Sequence, residues 1–146
     1  TIGLLPPDEA TARMGGLLRA AQSDGPAAMS TFLRAVCGED AAAELDRLVP
    51  GALAEAFAYA DAFFAGEFPA AIRWSFAPED VRADLPVLTV RGTASAPRSV
   101  EGAEIVRSWF AGSASLVLDG AGHLLVAEEP TAIATRLTEF WNTTAC

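Results

Sequence analysis

The sequence predicts an α/β protein preceded by a helical region. From Leu85 onward, short β-branched runs alternate with longer amphipathic segments in the order strand, helix, strand, helix. From Asp8 to about Pro78 the apolar spacing is helical and is punctuated by glycine and proline. The one histidine of the sequence, His123, stands in Gly120-Ala121-Gly122-His123, just after the second short run. A glycine-flanked turn at a strand's carboxyl end is where open α/β sheets place their chemistry.

The helical region divides at its breakers. Asp8 opens a first helix whose face carries Met14, Leu17, Leu18 and Ala21. Asp24-Gly25-Pro26 ends it and starts a second helix through Met29, Phe32, Leu33 and Val36, closed by Gly38. A third runs from about Asp40 to Val49. After Pro50-Gly51, a fourth carries Leu53, Phe57, Ala60, Phe63 and Phe64. A proline-flanked turn is expected over 68–78, with Ile72, Trp74 and Phe76 as packing residues that in part line a ligand cavity.

Beyond it, Leu85 to Val90 reads as a buried strand ending at Arg91-Gly92. Val100 to Phe110 reads as a helix and Leu116 to Leu118 as a second buried strand. A loop follows, then a last helix from Thr131 to Trp141. Short connections between such elements make a right-handed parallel unit.

Composition narrows the function. The chain has 146 residues, 51% of them hydrophobic, enough for one domain with a sizeable core. A net charge of −9 without any basic cluster excludes nucleic acid and anionic membranes as partners. All 10 basic residues are arginine and alanine abounds, which points to a GC-rich bacterial genome rather than to a function. Two cysteines make no disulfide framework and, with one histidine, no zinc ligand set, so no metal or cofactor is expected. No apolar run approaches the roughly 20 residues that cross a bilayer, and no charged-then-apolar leader opens the chain. The expected location is the cytoplasm.

Pro86 to Gly92, then a helix, then Leu116 to His123, then Glu128-Glu129-Pro130 opening a final helix, resembles the carboxyl-terminal part of an α/β-hydrolase. The resemblance implies a partial parallel sheet with an inserted helical lid. Residues 1–7 would be the end of a core strand, 8–80 the lid, and 81–146 the last two strands and helices. In that family the triad runs Ser, Asp or Glu, His, which makes His123 the general base. No Gly-x-Ser-x-Gly turn exists in the sequence. Gly112-Ser113-Ala114-Ser115 precedes a strand rather than following one, so the nucleophile must come from outside the chain.

The acid departs from the family pattern. Its usual place falls at Ser95, and 92–99 holds no carboxylate. Ser95 is then at best a weak orienter of the imidazole. Asp8 lies near the alternative place after the sixth strand and is a candidate acid, although a helix-cap role weighs more. Glu101 reads as a first-turn helix acid. Asp61 is a possible cavity residue.

The implied function is half of a serine hydrolase that cleaves a small, fairly apolar ester-like substrate without a cofactor. Its partner would be the amino-terminal half of the fold, or a second copy paired through the exposed sheet edge. The alternative is a non-catalytic ligand-binding or interaction module of the same fold.

Overall fold

The computed structural model describes residues 7–82 and 84–144. The expected strand tail over 1–6 lies outside them. Pro7 is already helical and starts α1 (Pro7–Ala21), so residue 7 is not the end of a strand. Proline suits the first helical position, where its missing N–H costs nothing. Asp8 is therefore inside the first turn of α1 rather than at its cap, and its side chain is outside the described part.

The chain divides into two units, Thr1–Phe76 and Ala77–Cys146. The boundary falls ahead of the expected 80/81 division because Pro78–Asp80 folds back as a 3₁₀ turn. The Asp80 carboxylate accepts the Ala77 N–H at 2.9 Å.

In the first unit, Asp24 caps α2 (Gly25–Cys37) by accepting the Ala27 N–H at 2.9 Å, and Gly38 follows its last residue. α3 (Ala41–Leu48) and α4 (Ala52–Ala62) come next. The chain does not then turn at Phe68, as the prolines suggest. It continues through a π-helical turn, Phe63–Glu67, into α5 (Phe68–Arg73). The wide turn lets the Phe68 N–H reach the Phe63 carbonyl. Pro69 then falls at the second position of the resumed α-helix, where an N–H is dispensable.

The core of this unit is Ala28, Met29, Ala60, Phe64, Phe68 and Ile72. Phe32, Phe63, Phe64 and Phe68 form a tilted and edge-to-face cluster with centroids 5.1 to 6.4 Å apart. Such geometry adds to plain burial because ring edges meet ring faces. Ile72 is buried as expected, whereas Trp74 is exposed and stacks on Phe76.

The second unit is α/β. β1 (Leu88–Gly92) and β2 (Ala114–Leu118) pair in parallel, from Leu88 opposite Ala114 to Gly92 opposite Leu118. α6 (Pro97–Trp109) joins them and packs on β1. α7 (Leu125–Glu128), a single turn where a loop was expected, leads to α8 (Pro130–Thr144), which packs on both strands. Leu118, Ala121 and Ile133 form the buried center, joined by Val90, Leu116, Leu125, Ala132 and Leu137.

β2 does not read as buried on both faces. Leu116 and Leu118 turn inward, while Ser115 and Val117 are exposed. Among the described residues no single helix is long and apolar enough to cross a membrane, and no group of His, Cys, Asp and Glu is placed to hold a metal ion.

Candidate functional site

The carboxyl ends of β1 and β2 are tied into one structure. Thr93 N–H donates to the Leu118 carbonyl at 2.9 Å and Ala94 N–H to the Ala121 carbonyl at 3.0 Å. The Thr93 hydroxyl donates to Asp119 Oδ1 at 3.1 Å and accepts the Gly120 N–H at 2.8 Å. Gly92 lies so close to the second loop that a Cβ there would stand 1.9 Å from the Ala121 carbonyl oxygen. Gly120 has φ of +73°, which a side chain would strain. These two glycines let the loops meet, and the His123 turn is built on that meeting.

Ser95 is half-buried at this junction. Its hydroxyl donates to the Gly122 carbonyl at 2.9 Å and accepts the Gly92 N–H at 3.3 Å. It holds the peptide before His123 rather than the imidazole. Glu128, at the end of α7, acts from the other side. Its carboxylate accepts the Gly122 N–H at 2.5 Å and the Leu124 N–H at 2.9 Å. His123 itself is exposed, and among the described residues none hydrogen-bonds its ring.

The other acids belong to other elements. Glu101 is exposed, and because α6 begins at Pro97 it falls beyond the first turn, not within it. Asp61 is exposed on α4 beside the start of α2 in the first unit. With Leu18, Ala21, Asp24, Phe64 and Pro69 it lines a groove of about 820 Å³. Asp8 lies in the first turn of α1, also in the first unit. Ser113 precedes β2, and Ser115 lies within it, so neither sits on a strand-to-helix turn.

Two features of the turn go beyond the residues that sequence singled out. The Thr93–Asp119 bond joins positions far apart in the chain, and no local pattern announces it. Glu128 had a legible signal. A glycine-rich turn leaves backbone N–H groups that need acceptors, and a carboxylate one short helix later can reach them.

Compared with family models, with curated proteins and with solved structures, the chain gives no match.

Proposed function

We propose that this chain supplies the general-base portion of a cytoplasmic serine hydrolase of the α/β-hydrolase type. His123 takes the proton of a serine hydroxyl carried outside this sequence as that oxygen attacks the acyl carbon of a small, fairly apolar ester. It then returns the proton to the leaving oxygen, and water repeats the cycle on the acyl-enzyme. The observation that carries this reading is the setting of His123. It is exposed at the carboxyl end of a parallel strand, the peptide groups around it are hydrogen-bonded, and none of the described residues occupies its ring. That is the condition of a base waiting for its substrate.

With Ser95 bonded to the Gly122 carbonyl, the orienting acid is assigned to the nucleophile-bearing portion. The chain alone should hydrolyse no p-nitrophenyl ester and take up no serine-directed fluorophosphonate. In a protein that carries this sequence together with a Gly-x-Ser-x-Gly turn, His123→Ala should lower kcat about 10⁴-fold or more without lowering the unfolding temperature. Unfolding with unchanged activity per folded molecule would instead make His123 structural.

The groove of the first unit, and the lack of a described carboxylate on the His123 ring, favor a second reading, a ligand-holding module without turnover. Under it, His123→Ala changes neither ligand affinity nor any hydrolysis.

A further inference from the structure

We infer that Glu128 is the positioning residue of His123. Its carboxylate is a two-pronged acceptor that holds the N–H groups of the residues on both sides of the histidine, restraining the main chain from which the imidazole projects. The inference rests on the general-base reading above and adds to it the device that sets the base's geometry.

The carboxylate spans the histidine in sequence. One oxygen takes the N–H of the residue before His123 and the other takes the N–H of the residue after it. Between those contacts lie the two backbone bonds of Gly122 and the two of His123, whose rotation swings the side chain. Holding both neighbors restricts that freedom, whereas a bond to one would leave a hinge. Because both bonds end on an ionised acceptor, they are stronger than bonds to a neutral one.

The peptide that joins Gly122 to His123 is held from elsewhere. The Gly122 carbonyl accepts from Ser95, which in turn is anchored to the Gly92 N–H. Gly122 is thus bonded through its N–H to Glu128 and through its carbonyl to Ser95. The Gly122–His123 peptide, held by Ser95, therefore lies between two peptides whose N–H groups are held by Glu128. Glu128 is half-buried and shares in no salt bridge among the described residues. Its position in α7 keeps the span short. The helix turns the chain back at once, so the acceptor returns beside the loop it serves.

Charge and reach are separable requirements. Glu128→Gln keeps the reach but can offer its oxygen to one N–H, while its amide group confronts the other. Glu128→Asp keeps the charge but falls one methylene short.

The test uses the full chain labelled with ¹⁵N and ¹³C, in which the single histidine gives unambiguous ring resonances. In both variants the Gly122 and Leu124 amide protons should move upfield. The His123 ring signals should broaden, while the thermal unfolding temperature stays near that of the parent chain. Amide shifts and ring signals unchanged in both variants would overturn the inference. So would their change only together with loss of the folded unit, since Glu128 would then be an ordinary structural residue.

In the nucleophile-bearing protein, Glu128→Gln should lower kcat about 100-fold, as a misplacement of about 1 Å does, with KM unchanged. An unchanged kcat beside a loosened turn would also overturn the positioning role. If His123→Ala leaves hydrolysis intact, the general-base reading falls by itself. The amide and ring signals still decide whether Glu128 holds the turn.

Discussion

Tyr59 donates its hydroxyl to Glu67 across 2.6 Å, joining α4 to the π-helical turn. Ionising the phenol would remove the donated proton and set two negative oxygens together. The hydrogen bond first, and the carboxylate charge second, hold Tyr59 above its usual range. The contact favors the folded state below the ordinary tyrosine pKa of 10.0. That contribution is lost as pH rises through the higher folded value. Tyr59 is the one tyrosine in the sequence, so phenolate absorbance at 295 nm reports it alone. The midpoint should lie above 10.0 and return toward it in Glu67→Gln. A midpoint indifferent to that change would sever the link. Glu44 shows the reverse shift, held low by its hydrogen bond to Arg47. Both side chains are largely exposed, so this pair does little for stability.

At the scale of elements, helix boundaries were legible where side chains make them. Asp24 and Gly38 bound α2 as their chemistry requires. Asp24→Ala should cost the first unit about 1 kcal/mol, a fall of about 5 °C in Tm, whereas Asp24→Asn keeps an acceptor and should cost far less. Thermal scans followed by circular dichroism would show it, and equal losses in the two variants would refute the cap. Pro69 misled, because a proline normally ends a helix unless a wider turn shifts the hydrogen bonds ahead of it. α7 escaped notice because a single helical turn has no period to detect. Of the histidine site, the strand, the glycines and His123 were readable in sequence. Glu128 had its signal in the glycine-rich turn, whereas the Thr93–Asp119 bond depends on where the chain returns in space. Ser95 was noticed for the wrong task, since a hydroxyl can serve a carbonyl as readily as a ring.

On the scale of the whole molecule, the sheet of the second unit has two strands among the described residues, and β2 leaves Val117 exposed on its outer face. Parallel sheets are ordinarily covered on both faces and flanked by further strands. An edge with free donors and acceptors beside apolar side chains invites pairing. The isolated chain should therefore self-associate at micromolar concentration by light scattering. A monomer that unfolds in one cooperative step would rule this out. The two strands carry one charged residue, Arg91, whatever the net −9 of the chain. The helical unit has its own core, built around a cluster of four phenylalanines.

The ties between the loops after β1 and β2 also have a mechanical meaning. A pull on the amino end of β1 against the carboxyl end of β2 would load the ladder and the loop bonds together, like rivets in a lap joint. A pull on both carboxyl ends would peel instead, and the Thr93 and Ser95 bonds would take the strain first. The histidine's seat is thus at the tear point of the sheet. Tension applied there would slacken the hold on His123 before the strands themselves came apart.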